Sequence, residues 1–421
     1  MRMQESNAVQ PGKRSKAEKV IRLFYGFQFF FALLLWVPIF YEFEHRIGLS
    51  DPEIFKIQSF YYLAFCLLEI PTGLLADFLG RRTCMRAGTL IVTAANLIPV
   101  FFQSFTGFMV HFFLIALARS LVSGAASAYL YDTLKECDAV ELYRKAEGNA
   151  RALALGGKVL LWAGVGALME WQLTLPYTLT ALATAISAVY AWRMPREAVK
   201  QEALDNPYEK FRQLGRIFPL LLRSPRVSLV IVQGVAIFVL SRVAQVDLFQ
   251  PYLKTLGFTA ASFGIIMGAF TLFEALGASH PDWVRKLLGR LSLGSDLSSV
   301  YVLTLFLSAC LAFMAVSGPW GGIFWLCLLS LATGFAYPIQ RQLMNDVIPD
   351  SRYRATFLSF ESIIDRAGSA VSAGLIGSFV ARGEVGRFLL LSAGISFAGV
   401  LVLLGVSWLG FLYFGSEKSR R

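Results

Sequence analysis

Seven ionisable side chains sit inside stretches of sequence that are otherwise almost wholly apolar: Glu69, Arg119, Arg242, Asp247, Glu274, Asp365 and Arg366. A charge held in the middle of hydrocarbon costs at least about 2.5 kcal/mol, so each should face a partner or a water-filled cavity. Embedded carboxylates also form proton relays, because they can take up and release a proton as their surroundings change. Glu361 and Asp365 are four residues apart and share one helix face, with Ser369 and Ser372 close to it. Arg366 points about 100° away from Asp365 and, as its neighbour, is expected to neutralise it. Arg242 and Asp247 are five apart and are expected on different faces, with Asp247 solvated near an interface beside "FQPYL". Glu69 and Glu274 have two readings, a proton or cation site and a gate closed by pairing with a loop arginine.

The elements that hold these charges follow from composition. Of 421 residues, 56% are hydrophobic and 16% charged, with 36 phenylalanines and a mean hydropathy of +0.57. A soluble domain carries roughly a quarter of its residues as Asp, Glu, Lys and Arg, so the apolar excess must face lipid. About 20 apolar residues cross a bilayer as a helix. Twelve such runs are present, near 23–42, 54–76, 85–104, 107–131, 149–170, 173–192, 227–250, 259–279, 297–317, 320–340, 355–381 and 387–414. The expected fold is therefore all-α and membrane-embedded.

The net charge of +11 does not mark a nucleic-acid binder, because the basic residues follow the connections between runs. Both termini and the even-numbered connections hold 31 of the 39 Lys and Arg; the odd-numbered ones hold Arg46, Lys56, Lys254, Arg382 and Arg387. The positive-inside rule then puts both termini in the cytoplasm of a multi-pass protein, with the inner membrane of a bacterium as the expected location. The polar, basic opening residues are not expected to form a cleavable signal. The five cysteines, Cys66, Cys84, Cys137, Cys310 and Cys327, have no metal or CxxC spacing and read as buried apolar residues.

The expected organisation is a tail (1–22), a six-span bundle (23–192), a polar connection (193–226), a second six-span bundle (227–414) and a short tail (415–421). The connection carries prolines at 195, 207, 219 and 225. Its "YEKFRQLGRIFPLLL" segment reads as a tether or as a basic helix lying on the membrane surface. The halves resemble each other. Glu69 and Asp77 match Glu274 and Asp282, Arg144 matches Arg354, and "RIGLS" at 46–50 matches "TLGFT" at 255–259, all at offsets of 205 to 210. Matches in one order point to a duplicated six-span unit.

Between the second and third runs lies "GLLADFLGRR", fitting G-x-x-x-D-x-x-G-R-[RK] at Gly73, Asp77, Gly80, Arg81 and Arg82. Gly73 is expected to let two helices approach closely and Gly80 to permit a tight turn. This loop resembles the signature of the major facilitator superfamily of secondary transporters, and twelve spans in two pseudo-symmetric halves agree with that resemblance. The resemblance implies that Asp77 latches a gate, and Asp132, ending "YLYD", is expected to pair with a motif arginine such as Arg81. Arg119, followed by Gly124, is similar to the family's span-four basic residue. Span five departs from the Gly-Pro-x-x-Gly-Gly element of many exporters in the family, having Gly156, Gly157, Gly164 and Gly166 but no proline; those glycines are expected to suit close helix packing.

Other classes find little support. Gly157-Lys158-Val159 lacks the Ser or Thr of a phosphate loop, and with only His45, His111 and His280 there is no HExxH, nor any GxSxG. No enzyme, cofactor or metal is expected. The expected function is proton-coupled export of a small organic compound, including lipophilic or drug-like ones, by alternating access. Uptake of a nutrient and lipid flipping are the alternatives. The expected partners are a small-molecule substrate, protons and the lipid bilayer, with the chain acting as a monomer. Most aromatic residues, including Trp36, Tyr61, Tyr62 and Tyr129, are expected to face lipid or its interfaces.

Overall fold

A computed structural model describes residues 11–196, 225–290, 295–347 and 354–418. The proposed surface helix within 193–226 falls almost wholly outside them. Among the described residues the helices are α1 (Pro11–Ala32), α2 (Phe40–Arg46), α3 (Asp51–Leu79), α4 (Arg81–Phe101), α5 (Phe105–Glu136), α6 (Tyr143–Trp171), α7 (Leu175–Arg193) and α8 (Pro225–Arg242). They continue with α9 (Phe249–Thr255), α10 (Ala260–Ser279), α11 (Asp282–Gly289), α12 (Asp296–Val316), α13 (Pro319–Val347), α14 (Arg354–Ala381) and α15 (Val385–Lys418). Ten stretches are long and apolar enough to cross a membrane. By position, α3 and α7 correspond to the second and sixth runs read from the sequence; α7 is diluted by Thr178, Thr180, Thr184 and Ser187.

The chain forms two compact units, Met1–Leu49 with Phe60–Lys210 and Ser50–Ser59 with Phe211–Arg421. In the first, α4 packs on α5 and α7, and α1 on α6 and α7. Its core includes Phe24, Phe27, Met85, Tyr129 and Leu130, none of them exposed. In the second, α13 packs on α10 and α12, α12 on α15, and α8 on α13 and α14. Bilayer lipid offers no hydrophobic drive to bring helices together, so close backbone approach at small residues does that work. A Cβ at Gly88 would lie 3.0 Å from the carbonyl of Ala118; Gly277 and Gly334 press the backbones of α10 and α13 together.

Gly73 does not do this. It is exposed, and a methyl there would meet nothing within 4 Å. Of the glycines in span five, Gly157 packs against the Phe29 ring, while Gly156 and Gly164 face open space. Gly80 turns the chain between α3 and α4 with φ 87°.

The first and seventh spans are both broken. After α1 the backbone leaves the helix at Leu33, passes a short tight turn at Val37–Ile39 and resumes as α2. In lipid, backbone groups freed by such a break must find partners inside the protein. Leu35 N–H donates to Thr180 Oγ1 at 3.0 Å, and Trp162 Nε1 donates to the Leu34 carbonyl at 3.1 Å. The seventh span passes from α8 through a π turn, Val243–Asp247, into α9. There Leu248 N–H reaches back five residues to the Val243 carbonyl at 2.8 Å.

The named aromatic residues are not lipid-facing. Trp36, Tyr62 and Tyr129 are 5%, 3% and 0% exposed, and Tyr61 is half-buried. Trp36 stacks on Tyr177, stands edge-on to His111 and Phe112, and donates to Asn96 Oδ1 at 2.7 Å. Hydropathy cannot separate a bundle interior from a lipid surface, because both are apolar.

Candidate functional site

In the first unit a cavity of about 580 Å³ opens among α1, α5 and α6, beside the break in the first span. Gln28, Leu34, Arg119, Ser127, Lys158 and Trp162 are among its lining residues. Arg119 lies mid-way along α5, and Lys158 at the centre of the 29-residue α6. Glu147 and Arg151 also reach the cavity, but they pair with each other at 3.2 Å, and Ser127 Oγ donates to Glu147 at 2.9 Å. Neither Arg119 nor Lys158 has a hydrogen-bond or ion-pair partner among the described residues. The Trp162 ring centre stands 6.0 Å from Lys158 Nζ.

Lys158 is the functional residue the sequence reading missed. It was counted with the basic residues flanking the fourth connection, whereas it stands in the middle of a span. The signal available was its depth, eight residues past the first residue of the fifth apolar run.

In the second unit the embedded charges of α14 are paired with arginines from other helices. Arg242 of α8 donates to Asp365 Oδ2 at 2.8 Å, and Arg341 of α13 donates to Glu361 Oε2 at 2.9 Å. Glu361 is 2% exposed. Asp365 therefore takes its bond from Arg242, where the sequence suggested its neighbour Arg366. Gln340 Nε2 donates to the Val230 carbonyl at 2.8 Å, next to Gly234. A Cβ at Gly234 would lie 3.0 Å from Glu361 Oε1 and run into the Gln340 amide. Ser369 donates back to the Asp365 carbonyl and Ser372 to that of Gly368, at 2.9 Å each.

Asp247 is buried at 0% exposure, so it does not occupy a solvated interface. The π turn accounts for this: residues five apart are hydrogen-bonded neighbours there, which brings positions 242 and 247 to one side instead of separating them. Glu274 is half-buried on α10 and has no hydrogen-bond or ion-pair partner among the described residues. Glu69 is half-buried on α3, one turn before Thr72, whose hydroxyl donates to the Leu68 carbonyl at 2.8 Å.

Around the motif loop, Arg81 pairs with Asp132 and also donates to the Ala128 carbonyl at 3.1 Å. Arg82 and Arg86 donate to the Trp192 carbonyl at 3.3 and 2.8 Å, and Arg86 lies over the Trp192 ring at 5.1 Å. Cations on the last carbonyls of α7 complement the negative end of its dipole. Asp77 lies in the penultimate turn region of α3; its side chain and that of Arg354 lie outside the described residues.

Two helical units with broken spans, a polar cavity and arginine-paired carboxylates within apolar helices define a multi-pass membrane transporter. Residues 20–373 match the sequence profile of the Major Facilitator Superfamily, and the chain belongs to that family. A mutant of the nucleoside transporter NupG has a similar fold, with a TM-score of 0.75 at 14% identity over 92% of this chain and 99% of that one. The peptide transporter POT in complex with sulfate gives a TM-score of 0.71 at 16% identity, over 96% of each chain. A POT family transporter in complex with 5-aminolevulinic acid gives 0.64 at 12% identity, over 95% of this chain and 97% of that one. No curated protein matches the sequence.

Proposed function

We propose that the chain is a secondary transporter that exchanges protons for a small organic solute by alternating access, moving the solute outward across a bacterial inner membrane as a single chain. The observation that carries the proton part is the pair of arginine–carboxylate contacts on α14. An ion pair within an apolar bundle holds only while both partners stay charged. A proton arriving on Asp365 or Glu361 cancels the attraction, releases Arg242 or Arg341, and so links protonation to a change of helix contacts. Glu274, without a partner, is a further place for a proton, and Glu69 holds the matching position in the first unit.

The charged lining of the first unit's cavity favours a polar solute over a lipophilic one. The larger apolar groove along α8, α14 and α15, about 1060 Å³, includes Val371, Ile395 and Val402, which are exposed as a bilayer-facing groove requires. The distribution of Lys and Arg supports cytoplasmic termini, with Asp77, Arg81 and Asp132 at an inner gate. Export rests on the sequence resemblance.

The test is flux in proteoliposomes loaded with a pH-sensitive dye. Wild-type protein is expected to drive solute accumulation from an imposed pH gradient, and Asp365→Asn and Glu361→Gln to abolish it while leaving solute exchange without a gradient. Gradient-indifferent movement in wild type, unchanged in both variants, sinks the proton reading. Inside-out vesicles report the direction.

A further inference from the structure

We propose that the cavity of the first unit binds an anionic group of the solute, a carboxylate or a phosphate, between Arg119 and Lys158. The inference rests on the transport reading and names the class of substrate for that site. Four charged side chains line the cavity, and two of them, Glu147 and Arg151, cancel in a pair 3.2 Å apart. What remains is an excess of two positive charges in the middle of apolar helices, carried by Arg119 and Lys158. The two are near enough to repel each other.

Each such charge costs at least about 2.5 kcal/mol at the bilayer centre unless something compensates it. Among the described residues no carboxylate does, because Glu147 is already engaged by Arg151 and by the Ser127 hydroxyl. A positive excess in a concave, water-sized space attracts the opposite sign of ligand. The planar guanidinium of Arg119 can meet a carboxylate or phosphate with two parallel bonds, and the Lys158 ammonium adds a compact point charge. Gln28 supplies an uncharged donor and acceptor in the same wall. Trp162, which carries the face nearest Lys158, is fixed by its bond to the Leu34 carbonyl, so the floor of the site is tied to the break in the first span.

The experiment uses the full chain in lipid nanodiscs and reads thermal unfolding with citrate, glycerol 3-phosphate or uncharged glycerol at matched ionic strength. One or both anions are expected to stabilise the protein saturably and glycerol not to. Citrate alone assigns a carboxylate and glycerol 3-phosphate alone a phosphate. Arg119→Gln and Lys158→Gln are each expected to weaken the apparent affinity roughly tenfold to a hundredfold, as for a lost charge-assisted contact. The exposed Arg387→Gln should leave it unchanged. A second readout needs no variant: the effective anion should slow acylation of Lys158 by an amine-selective reagent, followed by peptide mass spectrometry.

No stabilisation by either anion, equal stabilisation by glycerol, undiminished affinity in both folded Gln variants, or an unprotected Lys158 overturns the inference. Binding is measured without a gradient, so the two readings fail separately. Anion binding with gradient-indifferent flux defeats proton coupling alone, and gradient-driven flux of a neutral solute with no anion binding defeats the anion site alone.

Discussion

The Asp365 carboxylate of α14 receives its 2.8 Å bond from Arg242, on a helix more than a hundred residues earlier in the chain. The two are 11% and 23% exposed at their side chains. Removing one partner of such a pair strands the other charge, at a cost of roughly 3–5 kcal/mol, whereas replacing both by apolar groups is far milder. Asp365→Asn is therefore expected to lower the unfolding temperature more than the double change Arg242→Met with Asp365→Met. Gradient-driven transport should be lost in both. Thermal melts beside dye-based flux check this, and a double variant less stable than the single one contradicts it.

Gly234 is the point where α8 lets Gln340 and Glu361 meet its backbone. Gly234→Ala should force the Gln340 amide aside and cost about 1–3 kcal/mol, as overpacking does. Shortening the obstructing side chain with Gln340→Ala in the same chain should recover part of the loss. A double-mutant cycle of melting curves measures the coupling, and strict additivity of the two effects refutes the steric account.

Arg81 and Asp132 are 22% and 27% exposed, and pairs near water contribute at most about 1 kcal/mol. Asp132→Asn should accordingly leave the melting temperature within a degree or two, yet slow transport if the pair belongs to a gate. Exchanging the charges, Arg81→Asp with Asp132→Arg, should restore part of the rate. A parallel fall in stability and rate, unrecovered by the exchange, points to a purely structural contact.

The start of α3 offers a pH test. Ser50 Oγ and Ser50 N–H both donate to Glu53 Oε2, at 2.6 and 2.9 Å, forming a capping box. The Ser50 hydroxyl first, and then its N–H, hold the Glu53 carboxyl below its ordinary value. Its contribution is thus present above the unfolded-state value and fades as pH falls through the lower folded one. Ser50→Ala should melt earlier than wild type at neutral pH, and the gap should close as the pH drops below about 4. A gap that is constant with pH excludes the carboxyl as its source.

Much of the scaffold was legible because bilayer thickness demands long apolar runs. The repeat was legible at Gly48 and Gly257, the centres of "RIGLS" and "TLGFT". They turn with φ 94° and 82°, and their N–H groups bond to His45 and Lys254 carbonyls at 3.1 and 3.0 Å. A residue needed for its backbone leaves a trace in the sequence. Partners are different: nothing local to Asp365 announces Arg242, and Arg366 is nearer in the chain. Lys158 was misread because charge counts assign a residue to the nearest connection without asking how deep it lies. Trp36 and Tyr129 were misread because an inward-facing ring and a lipid-facing ring have the same hydropathy.

The π turn at Val243–Asp247 has a geometric consequence. It stores one residue more than ordinary winding would use, so it fixes the azimuth of everything that follows it in the seventh span. Deleting a single residue there would let the segment rewind as a plain α-helix and swing α9 by about 100°. Tyr252 would then be carried off the Met314 carbonyl, to which it donates at 2.8 Å, and the outer cap of the second unit would lose its mooring. That surplus residue works as a phase-setting notch, and sequence length across this stretch is as constrained as sequence identity.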